Sequence, residues 1–298
     1  MKTDTFSGYH PVVNFLYFLA VLVLSMFFMH PVCLGISLLA AMCYFFYLKG
    51  PKAVGFQLKF MLPLLLLTAA LNPLFNHEGA TILLYFKGGN PLTLEAIWYG
   101  IASASMVITV VTWFACCNVV MTSDKFVYLF GKLIPALSLI LSMTLRFVPR
   151  FTAQIKVVTQ AQRCVGRDVS SGNVLQRIKN ALTILSIVIT WALENAIETA
   201  DSMRSRGYGA AKRTNFTPYR FTMGDGALLA VLAAATAVTL WAGTAGYARA
   251  EFVPNLYIAG SDTPLGAAGL AAWAVLLLIP TILHLWEDMT WRILRSKI

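Results

Sequence analysis

The sequence predicts an all-α, polytopic membrane protein with about six transmembrane helices and two long cytoplasm-facing helices. Three observations carry that prediction. Hydrophobic residues make up 58% of the 298 and charged residues 12%, about half the ~25% charged fraction of soluble domains. Six apolar runs approach the ~20 residues that span a bilayer. Finally, fourteen of the 23 Lys and Arg lie between Met121 and Thr222 with only five acids, so +9 of the formal +10 sits in one stretch.

The apolar runs are Val12–Met29, Val32–Leu48, Phe56–Phe75, Leu94–Met121, Ala227–Gly243 and Leu265–Trp286. The first is read as a span and not a cleavable signal, because no strongly basic segment precedes it and a second span follows at once. Pro63, Pro73 and Pro280 are expected to kink or end their helices, which membrane bundles tolerate. Between Asn76 and Thr93, the β-prone run Thr81–Phe86 and the turn cluster Lys87-Gly88-Gly89-Asn90-Pro91 are expected to form a loop, with a small outer lid as the alternative.

With the N-terminus in the cytoplasm, the inner segments hold Lys2, Lys49, Lys52, Lys59, the fourteen central cations, Arg292, Arg295 and Lys297. Only Lys87 and Arg249 are left outside. That distribution satisfies the positive-inside rule, and six spans return the C-terminus to the cytoplasm. The expected organisation is residues 1–120 as four spans, 121–222 as a cytoplasmic or inner-leaflet module, and 223–298 as two spans with a basic tail.

The central module carries most of the information. Asp124–Lys132 is amphipathic and suits a membrane surface. Leu133–Leu145 is apolar but too short to cross, and Pro149 is expected to interrupt it before a polar helix from Phe151 to about Val165. Ser170-Ser171-Gly172-Asn173 reads as a capping turn. From Val174 to Arg206 neither Pro nor Gly intervenes, so one helix of about 50 Å is possible. Its apolar middle, Ala181–Leu193, is read as lying in the inner leaflet. Both polar helices end in Arg followed by Gly, the composition of a left-handed C-cap that also complements the helix dipole. Exposed arginines there also present fork-shaped donors to a partner groove. Glu194, Glu198 and Asp201 share a helix face and are expected to pair with Arg150, Lys156 or Arg163 and fix a crossing of the two arms.

The second tip, Ala200-Asp201-Ser202-Met203-Arg204-Ser205-Arg206-Gly207-Tyr208, resembles the second Ala-Arg-Gly motif of the transmembrane component T of energy-coupling factor transporters, with Ser205 in place of Ala. The first motif falls on Ala161-Gln162-Arg163-Cys164-Val165-Gly166, where Cys164 and Val165 stand for Ala and Arg. Ser123-Asp124-Lys125 and Leu145-Arg146-Phe147-Val148-Pro149 are also similar to that family. The resemblance implies two coupling helices gripped at their tips by two ATP-binding-cassette ATPase subunits. These helices would pass motion to a small membrane substrate-binding subunit that imports a vitamin or trace metal across a bacterial or archaeal cell membrane. The implied coupling residues are Arg204, Ser205, Arg206 and Gly207 at one tip, and Arg163, Cys164, Val165, Gly166 and Arg167 at the other.

Other chemistry has no visible machinery. The sequence lacks GxxxxGK[ST], HExxH and GxSxG, so the chain is read as non-catalytic and without a cofactor. The five cysteines form no CxxC pair and no zinc spacing, and the four histidines stand alone, so no metal site is expected. Asn215-Phe216-Thr217 is taken as a chance glycosylation triplet. No nucleic acid partner is expected for the basic stretch. The alternative reading, a self-contained secondary transporter with a basic cytoplasmic domain, would need ionisable groups within the spans, and these are nearly absent.

Overall fold

A computed structural model of the chain describes residues 5–85, 91–133, 135–210, 219–247, 250–252, 257–258 and 263–295, without the side chains of 132–138 and 258. Lys2, Lys87, Lys212, Arg213, Arg249, Lys297 and the Asn215-Phe216-Thr217 triplet lie outside those residues. Two compact units result: Met1–Thr122 with Tyr219–Ile298, and Ser123–Pro218.

The first unit contains α1 (Pro11–Phe27), α2 (Pro31–Lys49), α3 (Pro51–Phe75), α4 (Leu94–Val120), α8 (Met223–Thr244) and α9 (Pro264–Arg295). Each of α1, α2 and α3 begins with Pro at its first helical position, where the missing N–H costs nothing and φ is already helical. α4 packs on α1, α2 and α3, while α9 packs on α2 and α8. Several of the polar atoms that the bundle buries are paired, as an apolar solvent favours, while both ring nitrogens of His30 and the Thr281 hydroxyl have no hydrogen-bond partner among the described residues. Trp113 Nε1 donates to Ser37 Oγ at 3.2 Å, and that oxygen lies 3.3 Å from Ser25 Oγ. The Tyr17 hydroxyl donates to the Leu277 carbonyl, and Trp273 Nε1 to the Cys33 carbonyl. Small residues allow the closest approaches. A Cβ on Gly100 would stand 2.7 Å from the Ala69 carbonyl oxygen, and one on Gly269 would stand 2.5 Å from Ala242 Cβ.

Two buried carboxylates in this unit, Glu95 and Asp225, sit in the first turns of α4 and α8. Glu95 accepts from the Thr81 N–H and hydroxyl. Asp225 accepts from the His10 N–H and completes a capping box with Thr222. Asp225 thus helps cap α8, whereas α4 is capped by Thr93, whose hydroxyl accepts from the Ala96 N–H, and Glu95 ties Thr81 to the first turn of α4.

Among the described residues, six helices are long and apolar enough to cross a membrane: α2, α3, α4, α8, α9 and α7 (Val174–Ser205) of the second unit. The expected set differs by one exchange. α1 is apolar but has 17 residues, whereas α7 contains an 18-residue window of mean hydropathy 1.4, because its apolar middle is interrupted by Thr and Ser instead of charge.

Two further expectations are corrected. The run Ile82–Tyr85 (β1) pairs antiparallel with Pro91–Thr93 (β2), so this segment is a small hairpin and not a plain loop. A second two-stranded pair joins Ala250–Glu251 (β3) to Tyr257–Ile258 (β4). In the second unit, α5 (Ser123–Leu133) is followed by α6, one continuous helix over Pro135–Cys164. Pro149 lies inside α6 without ending it. Its cost of ~3 kcal/mol is offset by packing on α7 just beyond the proline, where Phe151 meets Trp191 and Val158 meets Ile184 and Val188. Helical stability in proteins comes mainly from such packing.

Candidate functional site

α6 and α7 lie antiparallel. Val158 packs with Ile184 and Val188 near one end of the pair. Phe151 meets Trp191 edge-on at 5.8 Å in the middle. Arg206, at the C-terminus of α7, lines a cleft with Met143 and Arg146 of α6. The two Gly-capped, Arg-bearing ends therefore point to opposite ends of the pair. The stretch of α6 from Met143 to Cys164 places about 30 Å between them at 1.5 Å per residue.

Both ends are closed by the same backbone device. At the first, Gly166 has φ +79°, its N–H bonds the Arg163 carbonyl at 3.0 Å, and the Arg167 N–H bonds the Gln162 carbonyl at 2.9 Å. At the second, Gly207 has φ +82°, its N–H bonds the Arg204 carbonyl at 3.0 Å, and the Tyr208 N–H bonds the Met203 carbonyl at 3.0 Å. These are Schellman motifs, which need a left-handed residue at the position each Gly fills. The end of α8 closes identically around Gly246. The glycine cap alone therefore marks a helix end; what distinguishes the two tips is their exposed arginines.

The side chains at the tips differ. At the first, Arg163 donates to Asp168 at 3.0 Å. Asp168 also accepts from the Ser170 hydroxyl and N–H, an Asx turn. Those Ser170 hydrogen bonds, aided by Arg163, hold the Asp168 carboxyl below the usual aspartate range. Arg177 and Asn180 of α7 bind the carbonyls of Val169 and Asp168, tying the loop down. Cys164, Val165 and Arg167 remain exposed. At the second tip Arg204, Ser205, Arg206 and Gly207 are all exposed, and the Ser205 hydroxyl donates to the Ser202 carbonyl.

The expected acid pairing is not what joins the arms here. Arg150 donates to Asn195 Oδ1 at 2.8 Å and lies 5.5 Å over the Trp191 ring. Arg163 is engaged within its own tip. Among the described residues, Glu194, Glu198, Asp201 and Lys156 make no ion pair. The reason is register. The side of α7 facing α6 runs through Ile184, Val188, Trp191, Asn195, Thr199 and Ser202. Glu194 and Asp201 each precede one of the last three by a single residue, about 100° round the helix, whereas Glu198 lines the cleft between the helices with Arg146, Arg150 and Arg206 without forming an ion pair there. Sequence reading found the acids because charge is conspicuous; Trp191 and Asn195, at the same helical spacing, were the available but quieter signal. Asp168 was legible too, as an Asp two residues before Ser170 at a helix end.

Residues 6–216 match the family model described as CbiQ, cobalt transport protein. The chain belongs to the CbiQ family. CbiQ membership covers the first four spans and almost all of the α5–α7 module. Similar curated proteins are energy-coupling factor transporter transmembrane proteins. The one from Staphylococcus aureus is 36% identical over 90 residues, 30% of this chain and 34% of the relative. That from Listeria innocua is 33% identical over 106 residues, 35% and 40% of the two chains. That from Lactobacillus helveticus is 37% identical over 81 residues, 27% and 29%. The matches thus span between about three-tenths and two-fifths of each relative. Among the described residues, no three or more His, Cys, Asp or Glu gather as a metal site would require.

Proposed function

We propose that this CbiQ-family protein is the non-catalytic coupling subunit of an energy-coupling factor importer. It passes ATP-driven motion from two cytoplasmic ATP-binding-cassette subunits to a separate membrane substrate-binding subunit. The cargo is a vitamin or trace metal, the membrane is a bacterial cell membrane, and both termini face the cytoplasm.

The observation that carries this reading is the pair of Arg-bearing, Schellman-capped tips at opposite ends of one antiparallel helix pair. Two separated, polar and identically capped ends suit two ATPase subunits, one at each. Arg206 is the principal contact of the second tip, supported by Arg204, Ser205 and Gly207. At the first, Val165 lacks the charge and Arg163 is held by Asp168, so Arg167 beside Gly166 and Cys164 supplies the polar contact. The exposed apolar stripe Leu175, Ile178, Leu182, Leu185, Ile189 and Leu193 lies on the side of α7 away from α6. An apolar membrane partner fits that stripe.

Mild purification of the tagged protein is expected to bring down two ATP-binding subunits and a small membrane protein. Arg206→Glu is expected to cut that recovery by tenfold or more, since removing one partner of a buried charge contact costs ~2–5 kcal/mol. Membrane insertion should be unchanged. Recovery of the chain alone, or full recovery with Arg206→Glu, overturns the proposal.

A further inference from the structure

We infer that the cleft between α6 and α7 binds the phosphodiester headgroup of an anionic phospholipid. The cleft encloses about 710 Å³. Its cationic wall is made by Arg146 and Arg150, one turn apart on α6, and by Arg206 at the end of α7, with Glu198 at the rim. Three guanidinium groups against one carboxylate leave two positive charges. Arg146 and Arg206 are exposed and, among the described residues, their side chains make no hydrogen bond or ion pair. Arg150 is already oriented by Asn195 and Trp191, so part of the ordering cost of an anion site is met before any ligand arrives. Planar guanidinium forks are the side chains best matched to phosphate oxygens.

The apolar wall selects the source of the phosphate. Met143, Phe147, Pro149 and Met203 line the same cleft. A free inorganic anion gains nothing from them, whereas the glycerol and first methylenes of a lipid gain burial. Basic pockets between membrane-associated helices on the cytoplasmic side are where anionic headgroups collect, and the cleft lies in the stretch that holds +9 of the chain's charge. Arg206 also belongs to the second tip, so the test is made on the chain without ATPase subunits and at Arg146, which lies outside both tips.

The test is native mass spectrometry of the full chain in detergent with short-chain phosphatidylglycerol, short-chain phosphatidylcholine or inorganic phosphate added. Phosphatidylglycerol is expected to bind at least tenfold tighter than phosphatidylcholine. Arg146→Gln, which leaves both tips intact, is expected to weaken it roughly tenfold, the loss of one charge-assisted contact. Lys179→Gln, an exposed cation elsewhere on α7, is expected to leave binding unchanged, and circular dichroism confirms that both variants fold. Three results overturn the inference. The first is equal binding of the two lipids, which leaves the cleft to a protein carboxylate. The second is inorganic phosphate displacing the lipid at equal concentration. The third is Lys179→Gln losing as much as Arg146→Gln, which reduces the effect to diffuse surface charge.

Discussion

Removing Arg150 tests how the two long helices are held together. Its guanidinium makes one hydrogen bond of 2.8 Å to Asn195 and stands 5.5 Å from the Trp191 ring centre. The residue is exposed, so solvent screening reduces the hydrogen bond to about 0.5–1 kcal/mol. The cation–π contact contributes ~0.5–1 kcal/mol at such a site. Arg150→Ala should therefore destabilise the pairing by about 1–2 kcal/mol, near tenfold in its opening equilibrium. Trp191→Ala should cost more, because it also removes the edge-on pair with Phe151, worth ~0.5–1.5 kcal/mol. In the Trp191→Ala background Arg150 has only its Asn195 bond to lose, so the cycle should show a coupling of ~0.5–1 kcal/mol. Hydrogen exchange of residues 145–200 in the detergent-solubilised chain measures all three. Glu194→Gln should stay within about 0.5 kcal/mol of the parent. If Glu194→Gln accelerates exchange as much as Arg150→Ala does, the acids hold the crossing and the register argument is wrong.

Three further outcomes follow from local geometry. Gly207→Ala should cost about 1 kcal/mol, seen as faster exchange in the last turn of α7; its Cβ would meet nothing within 4 Å, so the cost is the φ of +82° alone. Gly100→Ala should cost more, ~1–3 kcal/mol in thermal unfolding, since the Ala69 carbonyl 2.7 Å away is backbone and the helices must part. The order of the loop at residues 166–173 should depend on pH with a defined sign. Because the Asp168 carboxyl is held below its usual range, its contribution is complete above the ordinary value of about 3.9 and disappears as pH falls through the folded one. Exchange in that loop, corrected for intrinsic rate, should rise only below that ordinary value, and Asp168→Asn should raise it above that value while the two proteins converge as pH falls through the folded one.

How far each element was legible depended on how local its cause is. The spans were legible because a bilayer imposes length and apolarity on contiguous residues. The capped tips were legible because a left-handed C-cap is a demand on one residue, which Gly166 and Gly207 meet. Pro149 misled, since its local cost was real but packing on α7 outweighed it. The hairpin of β1 and β2 was half legible: the β-prone run was visible, its pairing with Pro91–Thr93 was not.

By itself, then, the sequence determined the membrane class, the concentration of charge in one module, and the two Gly-capped helix ends with their arginines. Composition, period and single-residue backbone preference suffice for these. Only the tertiary structure decided that α6 and α7 run antiparallel with their tips apart, and that Arg150 meets Asn195 and Trp191 instead of the acids. The physical reason is that a shift of one residue turns a side chain about 100° round its helix. Which of two neighbouring positions faces a partner is therefore set by the packing of whole helices and not by the charge either residue carries.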